Sequence, residues 1–142
     1  MTGLTISETM VRVNYSETDQ MGVVYHGRYP VWLDIARTEH LRQAGFSYRE
    51  LEEQGVRLVV TDLSIRYLRP ARYDDVIRIR CWVREVVSRR VIFGYALTHE
   101  GEETLLTTAQ TSLISLNTRH ELSRIPPAVV RALVAVPDPV RL

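Results

Sequence analysis

The residues best suited to chemistry crowd into one short stretch, Tyr15-Ser-Glu17-Thr-Asp19-Gln-Met-Gly22-Val-Val-Tyr25-His26, directly ahead of a helical pattern. Asp19 is the strongest candidate by placement. A carboxylate held in a loop before a helix lies close to backbone N–H groups that lack an intrahelical acceptor. A base or nucleophile beside donors that can receive a developing oxyanion is the minimal equipment for acyl transfer. Asp19 has a second reading, as a turn cap within Thr-Asp-Gln-Met-Gly, because a short acid readily bonds a backbone N–H two residues on. His26 follows an aromatic at the helix mouth and could orient water, bind a carbonyl or shuttle a proton. A purely structural role is its alternative. Glu17 reads as a solvated loop charge.

Other chemistries find little support. Cys81 sits in an apolar strand pattern with nothing nearby to stabilise a thiolate, which points to core packing. Ser64, Ser112 and Ser115 lie within strands and not on a nucleophile elbow. His26, His40, His99 and His120 show no ligand spacing, so no metal is expected. No glycine-rich phosphate cradle occurs. Arg89-Arg90 falls at a hairpin tip, where charge-assisted bonds can hold phosphate groups; a solvated turn is the other reading. Arg66, Arg69 and Arg72 form a second basic group near Pro70.

These residues need elements to position them. A 3.6-residue period predicts a helix from about Pro30 to Ala44, with Tyr29, Trp32, Leu33, Ala36, His40, Leu41 and Ala44 near one side. Proline suits a first turn, and Gly45 can supply the left-handed stop. Such a helix is about 22 Å long, enough to span a small sheet. Asp34 and Glu39 fall on its wetter face. Before it, Thr5–Tyr15 reads as a strand, and after it Ser47-Tyr-Arg-Glu50 is a capping-box pattern for a short helix closed by Gly55. From Val56 the period becomes two. Val59, Thr61, Leu63, Ile65 and Tyr67 are expected on one face of a strand, and Ile77, Ile79, Cys81 and Val83 on one face of the next. Val91–Thr98 is apolar on both faces and so should be central. Leu105–Leu116 is the last strand, followed by a short helix near Ala128–Val134. Hairpin-length connections imply antiparallel pairing, and the class is α+β: an antiparallel sheet wrapped on one long helix. Its open edges favour a homo-oligomer.

The 142-residue length suits a single domain, 1–142, and 45% hydrophobic with 25% charged residues is ordinary for a globular protein. A net charge of +1 argues against nucleic acid as the main partner. One cysteine excludes an internal disulfide and fits a reducing, cytoplasmic setting. No 18-residue apolar run marks a membrane span, and Met1–Met10 lacks an apolar signal core.

The stretch Tyr15–His26, followed by Tyr29, Trp32, Ala36-Arg37 and Glu39, resembles the hot-dog-fold acyl-CoA thioesterases. The 4-hydroxybenzoyl-CoA thioesterase type, with its Tol–Pal-associated bacterial members, is the branch it is most similar to. The resemblance covers nearly the whole chain, including strand order and Pro70-Ala-Arg-Tyr-Asp-Asp75, and implies a five-stranded hot-dog fold. It places the catalytic aspartate at Asp19, acting as nucleophile or general base, and the oxyanion donor at the backbone N–H of His26. It also implies that Tyr15 and the His26 side chain line the catalytic end, and that Arg89 and Arg90 contact the phosphates of CoA. It implies an acyl-CoA substrate, or an acyl carrier protein, and no cofactor beyond the CoA of the substrate. A dimer or dimer of dimers is the implied assembly. The chain departs from that pattern at Glu17, where many members carry aspartate, and at Gly27-Arg28, which replaces a small-residue–asparagine pair. Two other functions remain open here: a hot-dog hydratase or dehydratase, and a non-catalytic acyl-thioester binding subunit.

Overall fold

A computed structural model describes residues 5–142. The first four residues, part of the Met1–Met10 stretch read above, lie outside that range. In chain order the elements are β1 (Ile6–Arg12), α1 (Tyr29–Gln43), α2 (Tyr48–Glu53), β2 (Arg57–Tyr67), β3 (Val76–Val87), β4 (Arg90–His99), β5 (Leu105–Leu116) and α3 (Pro127–Ala132). The strands form one antiparallel sheet in the order β1-β3-β4-β5-β2. β4 is central, as its two apolar faces required.

The helix follows its periodicity. Tyr29, Trp32, Leu33, Ala36, His40 and Leu41 are all buried, and α1 lies mainly over β1 and β3. Ala44 is only half-buried, and Gly45 takes φ +103° to end the helix. Opposite the helix, Ile77, Ile79, Cys81 and Val83 are fully buried on the inner face of β3. At α2, Ser47 Oγ accepts the Glu50 N–H at 3.1 Å, as a helix-capping serine should. Among the described residues no helix is long and apolar enough to cross a membrane.

Three expectations need correction. β1 stops at Arg12 because Val13 leaves the ladder: its N–H donates to Asp75 O at 2.9 Å and its carbonyl accepts Asp74 N–H at 3.1 Å. β2 does not keep Val59–Tyr67 on one face. Val60 pairs with Leu113 and Asp62 with Ser112, so Thr61 is an extra residue, a β-bulge. The bulge puts Leu58 and Val60 on the helix side with Leu63, Ile65 and Tyr67, and turns Val59 away. Nor do β2 and β3 form a hairpin. Residues 68–75 cross the end of the sheet from one edge to β3, three strand spacings or about 15 Å, well within the reach of an extended segment.

The outer face carries its own small core. The Trp82 indole lies flat over Gly94, where an added Cβ would sit 2.6 Å from the ring. Trp82 Nε1 donates to Asp138 Oδ1 at 2.8 Å, and Val136 N–H donates to Val83 O at 3.0 Å. The C-terminal tail thereby covers this tryptophan.

Candidate active site

The loop from Val13 to His26 is held by backbone bonds and one buried acid. Thr18 and Val24 form an isolated bridge, Asp19 N–H donates to Val23 O at 2.9 Å, and Gly22 takes φ +78° to turn the tip. Val24 N–H donates to Ala71 O at 2.8 Å, which docks the loop on the 68–75 crossing. Asp75 fixes that crossing in turn, accepting the Arg72 N–H at 2.9 Å and meeting His99 Nε2 at 2.8 Å.

Glu17 is not the solvated charge its loop position suggested. It is buried, and it receives three N–H donors, Asn14 N, Arg28 Nε and Trp32 Nε1, each at 2.8 Å. Burial by itself would raise its pKa. The bonds from Asn14, Arg28 and Trp32, with the Arg28 charge, outweigh that and hold the carboxyl below the usual range. Its carbonyl also accepts the Tyr25 N–H at 2.8 Å. One side chain therefore ties the loop, the mouth of the helix and the first turn of α1 together. The spacing from Glu17 to Trp32 carried no signal of this, because the contact closes across a loop of irregular backbone.

Asp19 is half-buried. Its Oδ1 accepts the Met21 N–H at 2.9 Å, so the turn-capping bond is present. One carboxylate oxygen remains outside that bond, which leaves the acid able to do chemistry as well. A 3₁₀ turn, His26–Arg28, leads into α1, and its closing bond runs from Arg28 N–H to Tyr25 O at 2.9 Å. The N–H groups of His26 and Gly27 precede that bond and so have no acceptor inside the turn. Tyr67 Oη donates to His26 O at 2.8 Å and steadies the turn from β2.

Beside this turn lies a cavity of about 270 Å³ lined by Val23, Val24, His26, Tyr29, Tyr67 and Arg69, among others. Asp19 does not itself line it in a single chain, but its backbone is bonded to Val23, which does. Tyr15 stands apart. It is 78% exposed and packs edge-on against Tyr73 at 5.6 Å. Arg89 and Arg90 lie at the β3–β4 hairpin, where Val87 pairs with Arg90, while the Asp19 loop sits at the other end, where Ile77 pairs with His99. Those two ends are about 33 Å apart along the strand. Arg90 is also engaged by Glu85 at 2.5 Å. Within one chain, then, His26 and the Asp19 loop come together and Arg89 and Arg90 do not join them. The basic residue at the cavity is Arg69. Among the described residues no cluster of His, Cys, Asp and Glu is arranged to hold a metal ion. Cys81 is fully buried, and burial pushes its thiol up. It is a core residue.

A long helix lying against a five-stranded antiparallel sheet, with its mouth facing an acid-bearing loop, is the hot-dog arrangement. The chain belongs to the thioesterase-like superfamily, whose family model matches residues 13–133. It is 34% identical to the acyl-CoA thioester hydrolase YbgC of Escherichia coli over 125 residues, 88% of this chain and 90% of that protein. It is 36% identical to YneP of Bacillus subtilis over 90 residues, 63% of this chain and 65% of that protein. Among solved structures, the DHNA-CoA thioesterase of Staphylococcus aureus superposes with a TM-score of 0.81 at 34% identity, covering 85% of this chain and 81% of that one.

Proposed function

We propose that this chain is an acyl-CoA thioesterase, hydrolysing an acyl thioester to the free acid and CoA. The observation that carries this reading is the half-buried Asp19 in a loop packed beside the His26 turn, whose first N–H groups have no acceptor inside the turn. The family and the names of its relatives agree with it. Asp19 attacks the thioester carbon or activates water, and the His26 N–H receives the oxyanion. Losing such a donor typically costs about 2.7–4 kcal/mol of barrier. The pantetheine arm leaves over the cavity rim at Arg69. Arg89 and Arg90 lie at the far end of the sheet from this chain's own cavity, so any contact they make with substrate is to a neighbouring subunit's site. That geometry fits a homodimer or dimer of dimers. β2 is an edge strand with Val59, Val60, Leu63 and Tyr67 exposed along it, which suits pairing with a second copy. The chemistry requires no metal or cofactor beyond the CoA of the substrate, and the reduced thiol of Cys81 fits a cytoplasmic acyl-CoA pool.

A free-thiol release screen over short, long and aromatic acyl-CoAs tests the reading, with crotonyl-CoA hydration as the competing assay. Thiol release on at least one acyl-CoA is expected. Hydration without thiol release would make the protein a hydratase, and binding of a non-hydrolysable analogue without any turnover would make it a binding subunit.

A further inference from the structure

The cleft between α1 and β2 continues beyond the His26 turn. Its helix wall passes from His26 to Pro30, Asp34 and Arg37 in steps of about one turn, and its strand wall runs from Tyr67 to Leu63 and Val60. A cavity of about 380 Å³ occupies the deeper part. It adjoins the first, because Tyr29 in the one precedes Pro30 in the other, and Tyr29 and Tyr67 pack edge-on at 5.0 Å. From His26 to the level of Asp34 is about 12 Å along the helix. The walls of this deeper part are apolar: Pro30, Val31, Leu33, Val60 and Leu63.

Its far end is polar. The Arg37 side chain is only 10% exposed; one guanidinium nitrogen pairs with Asp34, and Nη1 donates to the Tyr95 hydroxyl at 3.3 Å. The Tyr95 and Thr111 hydroxyls lie 2.7 Å apart, and both residues are buried. We assign the Tyr95 proton to Thr111 Oγ1, because a hydroxyl that receives a bond from a guanidinium becomes a better donor. Burial pushes the Tyr95 phenol up, which keeps that proton in place. Thr111 then has its own proton to give, and it lines the cavity. Arg37 adds N–H groups beyond the two already used, since a guanidinium carries five.

We propose that this cleft takes the acyl chain of the thioester, and that Arg37 and Thr111 select chains bearing an oxygen acceptor at the end remote from the thioester. The preferred substrates are medium-length acyl groups with a terminal hydroxyl or carboxylate. The proposal rests on the thioesterase reading of the His26 turn, and it adds what that site accepts. A plain alkyl end would bury the donor face of Thr111 and Arg37 without a partner, which disfavours it.

The test is equilibrium binding of non-hydrolysable thioether analogues to the full chain: the octanoyl-CoA analogue against its terminal-hydroxyl and terminal-carboxyl counterparts. The oxygenated analogues should bind about tenfold more tightly, the size of one well-made polar contact. Thr111→Val and Arg37→Met should each shrink that gap to within about twofold, by weakening the oxygenated analogues. Equal binding of the three by the unsubstituted protein overturns the proposal, as does a preference that survives both substitutions or an absence of binding altogether. Should Arg37→Met fail to fold by circular dichroism, the near-isosteric Thr111→Val decides alone. Thiol release is measured separately. Its absence on every acyl-CoA refutes the hydrolase reading, whereas the binding preference still tests the cleft.

Discussion

Glu17 and Arg28 form an ion pair at 2.8 Å across the mouth of the helix, the acid 5% exposed and the arginine 45%. These are the two places where the chain departs from the pattern of the thioesterases it resembles, and the structure shows that the departures meet. The longer acid reaches both Trp32 Nε1 and Arg28 Nε through one oxygen, and Asn14 N–H through the other. An asparagine at position 28 would put no charge there.

Replacing Glu17 by Gln should therefore loosen the loop. It removes the charge that three donors face, and hydrogen bonds to a charged group contribute about 1.5–3 kcal/mol each to stability. We expect urea unfolding to show a loss of about 2 kcal/mol, together with a fall in kcat while Asp19 is untouched. Because Arg28 is half exposed, Arg28→Asn should cost less than Glu17→Gln. In the double variant the two losses should not add, since the residues share one contact. Additive losses would show that the pair does not act as a unit.

Asp19→Asn separates chemistry from architecture. The amide can still accept the Met21 N–H, so circular dichroism and oligomeric state should match those of the parent. Thiol release should fall by at least about a hundredfold, the scale of a lost general base. Turnover within a few-fold of the parent would remove Asp19 from the mechanism.

Tyr67→Phe tests the support of the oxyanion turn. The substitution keeps the ring against Tyr29 and deletes the bond to the His26 carbonyl. With a single bond worth about 0.5–1.5 kcal/mol, the unfolding free energy should fall by no more than that, and kcat should drop about two- to tenfold. An unchanged kcat would mean that the turn is held without it.

His40 makes stability depend on pH. It is fully buried, and Ser7 Oγ, which donates to Cys81 O at 3.2 Å, accepts from its Nδ1–H at 2.8 Å. Nε2 has no partner among the described residues, so a proton added there would bring an unpaired charge into the core. Burial pulls its pKa from 6.5 to about 4, with the nearby Cys81 carbonyl opposing only in part. The unfolded chain then binds the proton first as pH falls. Stability is full above about 6.5, declines from there to about 4 and levels off below, a change of at most about 3 kcal/mol. His40→Leu should flatten the difference in that window when ΔG of unfolding is followed from pH 7 to 4. A parallel pH profile in the variant would assign the slope to the carboxylates.

Much of this molecule was legible from residue order. The period of α1, the buried faces of β3 and β4, the left-handed Gly45 and the acid-bearing loop are set by neighbours within a turn or a strand, and one-dimensional spacing records those directly. The packing of the Asp19 loop beside the His26 turn follows from the same local rule, a loop feeding a helix.

What the order of residues did not contain was everything closed over a distance. The bulge at Thr61 depends on the register β5 imposes, and the crossing at 68–75 depends on which edge is free. The burial of Glu17 and Arg37 depends on partners fifteen and fifty-eight positions away. The remoteness of Arg89 and Arg90 from Asp19 is likewise set by sheet topology. A charged side chain is exposed or buried according to the donors that the folded chain brings to it, and only three-dimensional packing supplies those.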